Sequence, residues 1–246
     1  MTEQPALRLL VAEDNPLNQD LMLMMLEGLG HEVNLVENGF EVTQALEKSS
    51  YDALFLDIHM PVMDGVETAR WVHEHLTAEQ RPKIIAVSAS LFSDEENPMK
   101  PWADVCLTKP ISAPQLEAVL DLAGGSQIPE HQASESKVLD LELLKTNLGD
   151  DPEFLRSVIT VFTQEMSGDF ERLREAVHSQ VALSILELAH KLKGSCLTVG
   201  ASRVAKTLEH LEETAKYRNT QLCLSILPTL EGEVAELQTI LGQDFT

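Results

Sequence analysis

The chain is short of most features that assign a function quickly. It has three cysteines, Cys106, Cys196 and Cys223, scattered and without metal-ligand spacing. That excludes a zinc-knuckle pattern and a disulfide framework, and an odd, sparse count reads as reduced and intracellular. Basic residues are scarce, 18 against 40 acidic ones, for a formal net charge of −22. Without a Lys/Arg cluster, binding to nucleic-acid backbones or to anionic membrane surfaces is disfavoured. No apolar run approaches the ~20 residues needed to cross a bilayer. The N-terminus has no basic segment followed by an apolar core, so no signal peptide is expected. There is no glycine-rich nucleotide loop, so no ATP-binding domain is expected. A cytoplasmic, soluble, non-kinase protein is the expectation.

What is present falls into two halves. A length of 246 residues is comfortable for two domains. Acid is unevenly spread: residues 1–122 carry 21 acidic and 7 basic side chains, and residues 123–246 carry 19 and 11. The first half alternates short apolar runs with amphipathic segments. Leu7–Ala12, Glu32–Val36, Ala53–Leu56, Ile84–Val87 and Val105–Leu107 read as buried strands. Pro16–Leu29, Phe40–Ser49, Gly65–His75 and Ala113–Leu122 read as helices. Such alternation implies right-handed crossovers and a parallel sheet covered on both faces. Ser93–Trp102 holds Pro98 and Pro101, so a helix there must be short or distorted.

Residues 124–137 are small and polar without periodicity and read as a flexible linker, with an r.m.s. span of ~20 Å on the coil estimate. From 138 to 243 the pattern changes to long 3.6-period segments: Leu141–Leu148, Pro152–His178, Val181–Thr198, Ser202–Arg218 and Thr220–Leu241. Asp140 and Asp151 suit helix N-caps, and short breaks imply antiparallel neighbours. This half reads as a four-helix bundle.

In a parallel α/β sheet, ligands sit at the carboxyl ends of the strands near the topological switch point. Glu13 and Asp14 follow the first strand, Asp57 ends the third, Ser88 the fourth, and Lys109 the fifth. Clustered carboxylates make a hard-oxygen site for Mg²⁺. Asp57 then has the chemistry to act as a nucleophile and form an aspartyl phosphate. Lys109 and the Ser88 hydroxyl would contact phosphoryl oxygens. Each residue alone would pass for a cap, a turn residue or a surface lysine.

The set Val11-Ala12-Glu13-Asp14-Asn15, Leu56-Asp57-Ile58-His59-Met60-Pro61-Val62-Met63-Asp64-Gly65, Val87-Ser88-Ala89 and Leu107-Thr108-Lys109-Pro110-Ile111 resembles the receiver domain of response regulators and hybrid sensor kinases. The resemblance covers residues 6–123 and implies a flavodoxin-like fold with Asp57 as phosphoacceptor. It also implies Mg²⁺ held by Glu13, Asp14, Asp57 and the His59 backbone carbonyl, and a cis bond between Lys109 and Pro110. Receivers usually carry an aromatic where this chain has Cys106. Output through that face is therefore not expected. Docking is expected through the pocket rim and first helix, including Asn15, Pro16, Asn18 and Leu21.

In the second half, Ile185, Ala189, Leu192, Cys196 and Val199 form one helical stripe. His190 lies off that stripe, on the side expected to be exposed, with Lys193 and Gly194 one turn on as its surface neighbours. Lys193 would place positive charge near a phosphoryl group, and Gly194 would leave room for the ring. Leu186 and Leu197 flank the patch. A neutral imidazole attacks phosphoryl groups, and one on a convex face must borrow its remaining catalytic groups from a partner. The segment His190-Lys191-Leu192-Lys193-Gly194-Ser195, followed by Val199-Gly200-Ala201, looks like that of a histidine phosphotransfer (Hpt) domain. His178 and His210 lack a glycine four residues on and read as ordinary histidines.

Together the two resemblances imply a phosphorelay intermediate of two-component signal transduction. Its partners would be a sensor histidine kinase or other phosphohistidine donor and a downstream receiver domain. A fragment of a hybrid sensor kinase and a phosphate-independent adaptor remain as alternatives. An aspartate-nucleophile phosphatase would carry a second aspartate where His59 stands.

Overall fold

A computed structural model describes residues 6–89, 97–121 and 138–244 of the chain. It divides into two compact units, Met1–Pro129 and Glu130–Thr246. The linker expected at 124–137 lies outside the described residues.

The first unit is a five-stranded, all-parallel sheet. Its strands are β1 (Arg8–Ala12), β2 (Glu32–Val36), β3 (Ala53–Asp57), β4 (Lys83–Ser88) and β5 (Val105–Thr108), in the order β2-β1-β3-β4-β5. Helices α1 (Pro16–Gly28), α2 (Gly39–Lys48), α3 (Gly65–His75) and α4 (Ala113–Leu120) complete it. The two-residue period of the strands sends alternate side chains to opposite faces. Leu9, Val11, Phe55 and Ile85 pack with Met22 and Leu26 of α1 and Leu116 and Val119 of α4. Leu10, Leu54, Leu56 and Ile84 pack with Val42 of α2 and Ala69 and Val72 of α3. Two covered faces explain why these strands read as continuous apolar runs.

Local chemistry sets the helix starts. The Asn15 side chain accepts from the Leu17 and Asn18 amides, with Pro16 in the first turn. Asp64 accepts from the Glu67 amide at 2.8 Å and opens α3. The Pro-containing segment, where described, forms turns over 98–102 and no helix. Pro98 and Pro101 supply no N–H, and the segment anchors instead through fully buried Met99. His73 fastens it to α3. Arg81 donates to His73 Nδ1 at 2.7 Å, and His73 Nε2 lies 3.0 Å from the Trp102 carbonyl. Arginine only donates and a carbonyl only accepts, so the proton is on Nε2.

The second unit begins with the short helix α5 (Leu141–Leu148), followed by α6 (Pro152–His178), α7 (Ala182–Thr198), α8 (Ser202–Lys216) and α9 (Thr220–Asp244). The α6–α7, α7–α8, α8–α9 and α6–α9 pairs all pack, closing a four-helix bundle. Asp140 and Asp151 cap α5 and α6 as expected. Gly200 turns the chain from α7 to α8 at φ +78°, and a Cβ there would stand 2.7 Å from the Asp140 carbonyl oxygen. That close approach lets Asp140 N–H donate to the Gly200 carbonyl at 3.0 Å, seating α5 on the turn. Among the described residues no helix is long and apolar enough to cross a membrane.

Candidate functional site

The chain runs from β1 outward to β2 and returns to β3 on the other side of β1, so the switch point lies between β1 and β3. Glu13 and Asp14 follow β1 there, and Asp57 ends β3 beside them. Carboxylate oxygens of Glu13, Asp14 and Asp57 all lie within 4.8 Å of one another. From the far side of the sheet, β5 delivers Lys109. Its Nζ sits 2.6 Å from Glu13 Oε2 and 2.5 Å from Asp57 Oδ2. Lys109 N–H donates to the Ser88 carbonyl at 2.7 Å, which brings the ends of β4 and β5 to the same place. The Lys109–Pro110 bond is cis.

This pocket is dry. Glu13, Asp57, Ser88 and Lys109 are all buried, and Asp14 is half-buried at the mouth. Burial pushes the Glu13 carboxyl up. Lys109 opposes that shift and Asp57 adds to it, leaving Glu13 at about 8. Burial also works against the Lys109 ammonium, but Asp57 and Glu13 outweigh it and hold it charged. Three carboxylates face one ammonium, so the arrangement is short of positive charge. A divalent cation with a taste for oxygen fits that deficit. Asn18 was not anticipated as a contributor; its Nδ2 donates to Glu13 Oε1 at 2.9 Å and orients that carboxylate. The His59 amide donates to Asp57 Oδ1 at 3.0 Å, and its side chain is exposed.

One expectation about this unit needs correction. Asn15, Asn18 and Leu21 are buried at 2%, 5% and 2% exposure, so they cannot form a docking surface. Asn15 is spent on the helix cap and Asn18 on Glu13. The exposed positions of α1 are Pro16, Asp20, Met24, Glu27 and Gly28. At the rim, Val62 is exposed and adopts φ +69°. Cys106 is exposed on β5, where Asn97 Nδ2 donates to its sulfur at 3.3 Å.

The expected stripe of α7 is buried throughout: Ile185, Ala189, Leu192, Cys196 and Val199. His190 is not on the open side, however. Its side chain is 16% exposed and turned toward α8, where Nδ1 meets Glu212 Oε1 at 2.8 Å. Lys193 and Gly194, expected as surface neighbours, are both buried. Helix α7 packs between α6 and α8, so its buried arc is wider than one apolar stripe. Lys193 has a 3% exposed side chain, and its Nζ lies 2.7 Å from Glu212 Oε2 and 3.9 Å from Glu209 Oε1. Lys191 turns the other way, to buried Asp169 of α6 at 3.1 Å. Leu186 and Leu197 are half-buried, while His178 and His210 are exposed.

Glu212 was not singled out from sequence. Its only trace there is Glu209 and Glu212 at i, i+3 on one helix face, a pattern common on solvated helices. Burial opposes its ionisation. The hydrogen bond from His190, the charge of His190 and the ammonium of Lys193 outweigh that and lower it to about 2.

A doubly covered parallel sheet with a lysine-bridged acid pocket, followed by a histidine-bearing bundle, defines a two-part phosphotransfer architecture. Residues 9–121 match the response regulator receiver domain, and residues 157–240 match the Hpt domain. The chain thus carries a receiver domain followed by an Hpt domain, a pairing consistent with a phosphorelay. Neither matched region is a kinase domain. The aerobic respiration control sensor protein ArcB of Escherichia coli strain K12 is 28% identical over 240 residues, 94% of this chain and 29% of that protein. Sensor protein EvgS of the same strain is 25% identical over 235 residues, 94% of this chain and 19% of that protein. The chain thus spans less than a third of the curated relatives it matches. Among solved structures, the receiver domain of sensor histidine kinase PA1611 from Pseudomonas aeruginosa PAO1 is 33% identical. It covers 48% of this chain and 96% of that one, with a TM-score of 0.44, and holds a magnesium ion in its active-site cleft.

Proposed function

We propose that Asp57 accepts a phosphoryl group from a phosphohistidine donor and that His190 carries one to or from a receiver aspartate. The observation that carries this reading is the ammonium of Lys109 shared between Glu13 and Asp57, with Asp14 alongside. Glu13, Asp14, Asp57 and the His59 carbonyl would hold Mg²⁺, which when bound supplies charge neutralisation between the acids and the incoming phosphoryl group. An Asp57 oxygen attacks phosphorus, and the O–P bond forms as the donor's N–P bond breaks. Lys109 and the Ser88 hydroxyl take up charge on the phosphoryl oxygens. Transfer at His190 reverses this exchange on a receiver aspartate, in the same molecule or another. The receiver domain does not signal through the Cys106 face, where the usual aromatic is missing and residues 98–102 form turns.

The test is phosphotransfer profiling of wild type, Asp57→Asn and His190→Gln against purified kinases and receivers. Asp57→Asn should lose a base-labile acyl phosphate and His190→Gln an acid-labile phosphohistidine. Chelating Mg²⁺ should abolish the first. Retention of both labels in both variants would refute the assignment, and unchanged partner signalling by both variants would favour an adaptor. Rates of Asp57-to-His190 transfer that are independent of dilution would mark the intramolecular route. A second reading is favoured by the sensor proteins it matches: the chain corresponds to the receiver–Hpt portion of a hybrid sensor kinase. Sequence upstream of residue 1 decides it.

A further inference from the structure

Asp169 is a buried carboxylate that the phosphotransfer chemistry does not use. Its side chain on α6 is 6% exposed, and two cations reach over it from outside. Arg172 of the same helix binds one oxygen, and Nζ of Lys191 on α7 lies 3.1 Å from the other. Those side chains are 65% and 27% exposed, so an approaching molecule meets the cations and not the acid beneath them. We propose that this pair decides which way round a partner receiver sits on the bundle: Lys191 and Arg172 take the acidic outer face of the receiver's first helix. This orientation rests on the reading of His190 as carrier.

Successive residues turn by about 100° around a helix, so His190 and Lys191 stand at opposite edges of one open face of α7. Exposed Glu187, one turn earlier, lies between them. His190 leans to α8 and Lys191 to α6. The two edges differ in sign. On the α8 edge, Glu209 and Glu212 enclose the buried ammonium of Lys193, and Glu213 is exposed. Lys206 is exposed farther along α8, six residues from Glu212. Accessible positive charge next to the histidine is therefore on the α6 edge.

A receiver's aspartate is reached through its pocket mouth, so the groups flanking the mouth must meet the groups flanking the histidine. The first unit shows the chemistry of such a mouth. Asp14 is half-buried there, and α1 starts from it. The exposed charges of α1 are Asp20 and Glu27, on one helix face with Met24, and α1 has no lysine or arginine. Set over the α6 edge, that face meets two cations. Turned round, it meets Glu209, Glu212 and Glu213. Opposite charges speed encounter and like charges suppress the wrong arrangement, so a receiver with a basic first helix is rejected.

Single-turnover transfer between two copies of the full chain tests the orientation. The donor is the His190→Gln chain, loaded on Asp57 with acetyl phosphate and Mg²⁺. The acceptor is the Asp57→Asn chain, and acid-labile label on His190 is followed over a range of acceptor concentrations. Lys191→Glu with Arg172→Glu in the acceptor should raise the half-saturating concentration roughly tenfold or more, leave the maximal rate nearly unchanged, and remove most of its dependence on salt. Lys191→Arg should keep the native value. Asp20→Lys with Glu27→Lys in the donor should weaken transfer to the native face and restore transfer to the reversed one. These two positions are exposed and outside the bundle, so this arm decides the matter even where the reversed acceptor folds poorly. Equal half-saturation in all pairings, or a loss confined to the maximal rate, would overturn the proposal. An acceptor with native Lys191 and Arg172 that takes no label at all would refute the carrier reading itself.

Discussion

Gly65 opens α3, and its position is a steric statement about the phosphoacceptor strand. A Cβ built there would lie 2.3 Å from the Asp57 carbonyl oxygen and 2.8 Å from Ile58 Cα. Both are backbone atoms of the strand end that presents Asp57. Reaching an ordinary contact requires a shift of about 1 Å, in a strand paired on both sides, and overpacking of this kind costs about 1–3 kcal/mol. Helix propensity works the other way, favouring alanine by up to about 1 kcal/mol. The steric effect should win, so Gly65→Ala should destabilise the first unit by about 2 kcal/mol, a fall in Tm of roughly 5–15 °C. Both tryptophans, Trp71 and Trp102, lie in this unit, so urea or thermal unfolding followed by tryptophan fluorescence reports on it alone. Phosphorylation of Asp57 should slow as well, because the displaced backbone carries the nucleophile. Gly168 in α6 is the control. Nothing lies within 4 Å of a Cβ there, so Gly168→Ala should stabilise the bundle by about 1 kcal/mol, read by far-ultraviolet circular dichroism. Equal stability of Gly65→Ala and wild type would refute the claim that α3 is wedged against the end of β3.

The bundle should lose stability in acid through Glu212. Its carboxyl is at about 2 in the folded state against an ordinary 4.5, so its contribution is complete above pH ~4.5 and disappears as pH falls through ~2. That shift corresponds to on the order of 3 kcal/mol, and the gap in urea midpoint between wild type and Glu212→Gln should close over the same window. A gap that stays constant down to pH ~2 would contradict the ion-pair account. Thiol titration should find one fast cysteine in the native chain, Cys106, and three after denaturation. Cys196 is fully buried, and burial pushes its thiol up to about 12, while buried Cys223 is shifted upward for the same reason. Two or more fast thiols in the native protein would place a buried cysteine on the surface.

The sequence by itself determined the elements and the first pocket. Strand and helix periods, proline and aspartate caps, and the positions of Glu13, Asp14, Asp57 and Lys109 at strand ends are local or nearly local features. In a parallel sheet one rule of chain reversal gathers strand ends without any further detail. Asn15 and Asn18 show where this stops. Their places on the first helix suggested a rim, but only the packing of α1 shows that one is consumed by a cap and the other by Glu13. The bundle depended on tertiary structure still more. An apolar stripe locates the side of α7 that must be buried, but it does not limit burial to that side. Helix α8 covers a second arc, takes Lys193 inside and turns His190 toward Glu212. Residues 22 positions apart in the chain meet through the packing of two helices, and no periodicity within either helix encodes that meeting.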